Sequence, residues 1–308
     1  VRTRAYTATD RGLVAQLHDL VPEPPAPEPP PSEPAPEPAP PSRPAPTAEG
    51  AFTRTPLVHL LVYMLDQRLT GTATFFAPDG VSHDVYFEQG VAAKIRTGAV
   101  IWPLDRVLVN LHLVDEPILN EALVEISRTR MLLGRHLVSR GLCSRDDVLR
   151  ALRIQLVHKL VSLCDLPAAT RYAFYDGENL IKTFGGPELL RSEPLATIMA
   201  AVRASHEHPV REATLARIAR VAIGFVPGAD VARFDFSREE AAVCDLIRAK
   251  RMRLADLVEA GVAPEHIVKR TVYALVITRY LDLGAAQKAP IAFAHGPLPT
   301  EAPHATRA

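Results

Sequence analysis

The sequence predicts an α+β fold, a small antiparallel sheet with flanking helices followed by a mostly helical C-terminal unit. Three observations carry this. A leucine stripe at helical spacing precedes three short strand-like runs separated by tight-turn residues. The later part of the chain strings together helix-capping signals. Half of the prolines fall in one stretch ahead of both.

That stretch, 22–46, holds 14 of the 28 prolines, interleaved with Ala and Glu. Proline fixes φ and removes a backbone donor, so neither helix nor ladder is expected there. A polyproline-II spacer is expected instead, reaching about 75 Å at about 3.1 Å per residue; a docking site for a proline-recognition module is the other reading. The chain thus divides into a short arm (1–21), a Pro-rich linker (22–47), a sheet-bearing domain with a helical hairpin (48–180), a helical domain (187–284) and a disordered tail (285–308).

Within the first domain, Leu57, Leu60, Leu61, Met64 and Leu65 repeat at i, i+3, i+4, i+7 and i+8. Strands follow at 72–77, 82–88 and 91–96, joined by Pro78-Asp79-Gly80 and Gln89-Gly90. Val85 and Phe87 should face one way, Tyr86 and Glu88 the other. Residues 103–127 read as helical with a break at Glu116-Pro117. A helix from about 130 closes at Gly141, and Ser144 caps the next. That helix should bury Leu149, Leu152, Leu156, Leu160 and Leu163 as one seam and stop before Pro167. A strand is expected at 171–175. Helices are expected at 193–205 and 209–222, then three more, the first opened by the capping-box pattern Ser237-Arg238-Glu239-Glu240. The last three suggest a helix-turn-helix or winged-helix arrangement.

The stretch 56–96 resembles the PATAN domain, through its Leu-rich helix, Thr70-Gly71-Thr72-Ala73-Thr74-Phe75, and the hairpin Val85-Tyr86-Phe87-Glu88-Gln89-Gly90-Val91-Ala92-Ala93. The resemblance implies a regulatory module of a bacterial signalling protein acting through protein contacts. The stretch 132–155 resembles the MshEN-type N-terminal domain of type II secretion and pilus ATPases. Leu133, Gly134, Leu137, Val138, Gly141, Leu142, Val148, Leu152 and Gln155 fall on its motif, with Leu132 where that motif has Arg. The resemblance implies a cyclic di-GMP surface over Leu133, Gly134, Arg135, Leu137, Val138, Gly141, Leu142, Leu152 and Gln155. A helical hairpin in the core is the competing reading. Arg135, Arg140 and Arg153 are the nearby cations.

Composition narrows the classes. Lys plus Arg and Asp plus Glu are 35 each, so no net field drives the chain to nucleic acid or anionic lipid. No apolar run nears the roughly 18 residues that span a bilayer, so no membrane insertion is expected. Val1-Arg2-Thr3-Arg4 lacks the apolar core of a signal peptide. A cytoplasmic location is expected. Cys143, Cys164 and Cys244 are too scattered for a disulfide framework or metal knuckle.

No phosphate loop, nucleophile elbow or HExxH occurs, so no catalytic residue, cofactor or metal is expected and the chain reads as a non-enzyme. His206-Glu207-His208, His83-Asp84 and the carboxylates Asp105, Asp115 and Glu116 read as loop, strand and cap residues. Residues 236–284 carry eight Lys/Arg and seven Asp/Glu, a net of +1, which disfavours DNA as a partner. The expected function is a signalling adaptor for protein partners in motility, pilus or secretion control. A cyclic di-GMP receptor is the alternative and a DNA-binding regulator a weaker one. The apolar helix faces suit a homodimer as well as internal packing.

Overall fold

The computed structural model describes residues 43–129 and 131–284. The expected arm, nearly all of the Pro-rich linker and the expected tail lie outside these residues. The architecture is α+β, as expected, and its centre is a five-stranded antiparallel sheet of order β1-β5-β2-β3-β4.

The sheet is larger than the three-strand meander expected. β2 (Gly71–Phe76), β3 (Ser82–Glu88) and β4 (Val91–Arg96) form that meander. The late strand β5 (Arg171–Asp176) returns to pair with β2, and β1 (Ala48–Ala51) pairs with β5 at the edge. β1 reads Ala-Glu-Gly-Ala, without alternation or β-branched residues, so nothing in its composition marks it as a strand. Its backbone pairing supplies what its side chains do not. Even Thr47, assigned to the linker, donates its N–H to Phe174 O at 2.7 Å.

α1 (Leu57–Gln67) lies against the inner face of this sheet. Its leucine stripe joins Phe75, Val85, Phe87 and Phe174 in one core. Arg68 closes the helix in the left-handed region at φ 50°. Gly90, at φ +81°, lets the β3–β4 turn touch that helix end. Its N–H donates to Leu69 O at 2.7 Å, and a Cβ there would stand 2.4 Å from Met64 O. A bulge opposite Tyr86/Phe87 interrupts the alternation of β4, so Ala92 and Ile95 face the core while the consecutive Ala93 and Lys94 face outward.

A layer of four helices follows: α2 (Leu104–Asn110), α3 (Glu116–Thr129), α4 (Leu133–Ser139) and α5 (Arg145–Ser162). The chain breaks at 111–115, not at Glu116-Pro117. Pro117 sits in the first turn of α3, where its missing N–H costs no bond. Val107, Leu108, Val114, Leu119, Ala122, Leu137 and Ala151 make a second core there.

The seam expected along α5 holds only for Leu156, Leu160 and Leu163, the last in a 3-10 turn (Leu163–Asp165). Leu149 and Leu152 are only half-buried. The first half of α5 turns Val148 and Ala151 inward instead, because it faces a different core.

The C-terminal segment comprises α6 (Pro194–Ala204), α7 (Pro209–Ile218), α8 (Arg238–Ala249), α9 (Leu254–Glu259) and α10 (Glu265–Ile277). A two-stranded ribbon of β6 (Gly224–Phe225) and β7 (Leu281–Asp282) accompanies them. The capping box at Ser237/Glu240 is formed in both directions. The segments 48–180 and 187–284 share one hydrophobic core, since Met199, Val272 and Leu275 belong to the cluster that contains Phe75 and Phe87.

His59 on α1 and Tyr273 on α10 tie the two segments by a 2.7 Å hydrogen bond between Nε2 and the hydroxyl. Burial, with a smaller contribution from His208, pushes the His59 pKa down to about 4. The imidazole is therefore neutral in the fold near neutral pH.

Two outcomes are expected. Gly90→Ala combines a backbone clash with a left-handed φ and should cost roughly 3 kcal/mol in denaturant unfolding. For His59 the unfolded chain binds a proton near pH 6.5 and the folded chain only near 4. Its contribution is therefore complete above pH 6.5 and is lost as pH falls toward 4. Unfolding at pH 7 and pH 5 should show a smaller loss on acidification for His59→Gln than for the native chain; equal losses would refute the assignment.

Candidate functional site

The hairpin expected over 132–155 is formed by α4 and α5, with Gly141 left-handed between them at φ +68°. Ser144 caps α5 by accepting the Asp147 N–H at 3.1 Å. The nine motif residues divide into two groups. Leu137 is fully buried in the second core, and Leu133 packs against it. Gly134 is buried, and a Cβ there would lie 2.7 Å from Val148 Cγ1. Gln155 donates to Trp102 O at 2.7 Å, beneath a Trp102–His158 stack with ring centroids 4.0 Å apart. Leu152 is half-buried. The second group, Arg135, Val138, Gly141 and Leu142, is exposed. Arg140 faces Glu125 at 3.4 Å, whereas Arg135 and Arg153 make no ion pair among the described residues.

Most of the cations of 236–284 are engaged. Arg248 pairs with Asp245 at 2.6 Å, Arg253 with Asp256 at 2.8 Å, Lys269 with Glu265 at 2.8 Å and Arg279 with Asp66 at 3.2 Å. Arg251 pairs with Asp282, and Arg270 donates to Arg203 O at 3.1 Å. The helix in the recognition position, α10, buries Val268, Thr271 and every residue from Val272 to Ile277. It is the centre of its segment, and the side of it that a groove would need is occupied by protein.

His206, Glu207 and His208 gather no further ligand, and no group of three metal-ligating side chains occurs among the described residues. His208 caps α7 through Nδ1, which accepts the Val210 N–H at 3.2 Å. His83 and Asp84 point to opposite faces. Asp84 accepts from Thr74 Oγ1 at 2.7 Å and from Arg96 Nε at 2.9 Å, while burial lowers the His83 pKa. Asp105 Oδ1 accepts the Arg106 N–H in the first turn of α2, and Glu116 opens α3.

Sequence reasoning missed a cleft of about 260 Å³ where α1, the 3-10 turn and the start of α7 meet. It contains Arg211, which in the sequence is one more cation in a helical first turn. No pattern marks it, because its partners on the cleft wall come from 150 residues earlier and 60 later. Nearby Cys164 is held as a thiol, its pKa raised to about 11 by burial.

Comparison of the chain with family models, with curated proteins and with solved structures returned no match.

Gly134 can be assigned by a double-mutant cycle. Gly134→Ala should cost about 1–2 kcal/mol by overpacking, despite the higher helix propensity of Ala. Val148→Ala in the same chain should recover part of that loss. Strict additivity in chemical denaturation would rule out the close approach as the reason for glycine.

Proposed function

We propose that the chain is a non-enzymatic bacterial signalling adaptor that binds protein partners in motility, pilus or secretion control. The distribution of apolar surface carries this reading. Of the twelve large apolar side chains exposed among the described residues, eight lie between 100 and 142. Two, Val100 and Trp102, precede α2, and the other six lie on α3, α4 and the segments between and after them, with Val100 and Val124 the most exposed at 89% and 57%. The segment 194–284 exposes one, Val262. Apolar surface concentrated on one layer is the usual mark of a contact surface. The resemblance of 56–96 to PATAN regulatory modules supports the same reading.

A second reading, a cyclic di-GMP receptor, is supported by Arg135 and Arg153. Both are exposed and make no ion pair among the described residues, and Val138, Gly141 and Leu142 of the same hairpin are exposed too.

Affinity capture from a bacterial lysate with the native chain and with a Val124→Glu/Leu142→Glu chain separates these readings. Proteins retained by the native chain and lost by the folded variant support the adaptor; identical sets sink it. Titration with cyclic di-GMP at physiological salt should give no saturable heat. Low-micromolar binding lost in Arg153→Ala would instead make the chain a second-messenger receptor.

A further inference from the structure

Arg211 is only 8% exposed, yet its guanidinium meets no hydrogen-bond acceptor among the described residues. Its nearest carboxylate is Glu212 Oε1, 3.9 Å from Nε on a side chain that is 57% exposed. Arg203, less buried, shows what this fold does with a structural arginine. It donates to Glu240 through Nε at 3.0 Å and to Asp235 O at 2.7 Å. Buried charges in folded proteins are paired or keep contact with water, and no Arg211 nitrogen is sealed from solvent without a partner. Arg211 lines the 260 Å³ cleft together with Tyr273, His208, Phe52, Leu57 and Leu166.

We propose that this cleft is a binding site for a small organic monocarboxylate, whose carboxylate pairs with Arg211 while its apolar body lies against Phe52, Leu57 and Leu166. A guanidinium presents a planar fork of donors that a carboxylate matches with two parallel bonds. The cleft offers one buried cation, and Asp165 and Glu207 stand on its lining, so a multiply charged anion is repelled. Its volume falls below the roughly 300–1,000 Å³ of pockets for drug-sized molecules, which points to a short ligand. The backbone at the start of α7 does not compete for the anion. The Val210 N–H is taken by His208 Nδ1, and those of Arg211 and Glu212 by His208 O at 2.9 and 3.3 Å.

The proposal is independent of the adaptor reading, and its failure leaves partner capture untouched. The test is thermal unfolding of the full chain with sodium propionate, hexanoate or benzoate, against benzamide and inorganic phosphate at matched ionic strength. A ligand that binds only the folded state raises Tm with concentration. At least one carboxylate should do so, and benzamide and phosphate should not. Arg211→Met should weaken the response roughly tenfold or more. Ala168→Trp, at the exposed mouth, should block the response with Arg211 still in place, and it decides the matter if Arg211→Met does not fold. No response to any carboxylate, an equal response to phosphate, or a response unchanged in either folded variant overturns the proposal.

Discussion

Helix α5 takes part in both large cores, and the arrangement of the other layers depends on it. Its 18 residues run about 27 Å. Ala151 belongs to the four-helix core, and Leu156 and Leu160 to the core of the sheet and C-terminal helices. The two buried faces are separated by roughly 150° round the axis. A helix obliged to bury one side early and nearly the opposite side late cannot be replaced by a simple amphipathic one. Its Ser144 cap and the acidic Asp146 and Asp147 in its first turn stabilise the end that lies in the smaller core.

The sheet meets a complementary constraint. Its inner face is apolar, but its outer face is buried too and carries Thr72, Thr74, Asp84 and Lys94. Buried polar groups are tolerated when each finds a partner. The chain after β5 provides several of them from its backbone. Thr72 Oγ1 donates to Glu178 O and accepts from the Leu180 N–H. Lys94 Nζ reaches the carbonyls of Phe184 and Gly186 at 3.1 and 2.9 Å. Ile181 then packs with Tyr86 and Ala93 beneath this cover. An irregular segment is thus held in place by side chains of a regular one, the reverse of the usual capping arrangement.

This explains what was legible in the sequence. Elements defined by their own residues were readable: the leucine stripe of α1, the turns at Gly80 and Gly90, the Ser144 cap and the Ser237/Glu240 capping box. Elements defined by distant partners were not. β1 is a strand because β5 is there, and α5 changes faces because two cores meet along it. α10 carries lysine and arginine in its first two turns and looks available for a groove. Its buried residues occupy most of its circumference from Thr271 to Ile277, which makes it a buried helix. The stretch 132–155 forms the helical hairpin that was one of its two readings. Whether a glycine in such a motif serves a ligand or a neighbouring valine depends on Val148, and spacing alone carries no information on that.

The same reasoning separates the two kinds of arginine in the C-terminal segment. An exposed pair such as Arg248–Asp245 contributes little, about 0–1 kcal/mol, and mainly neutralises surface charge. With most cations of 236–284 occupied in this way, the segment has little free positive charge to offer a polyanion. Arg211 differs in kind, because it is largely buried, with only the Glu212 carboxylate 3.9 Å away, at the junction of elements from both ends of the folded chain. Tyr273 forms part of the cleft wall with Leu57 and Val58, and its hydroxyl is 2.7 Å from His59 Nε2, the hydrogen bond that joins α1 to α10. A molecule held by Arg211 would therefore touch α1, the 3-10 turn and the start of α7 together. From there a small ligand could act on the seam between the sheet and the C-terminal helices.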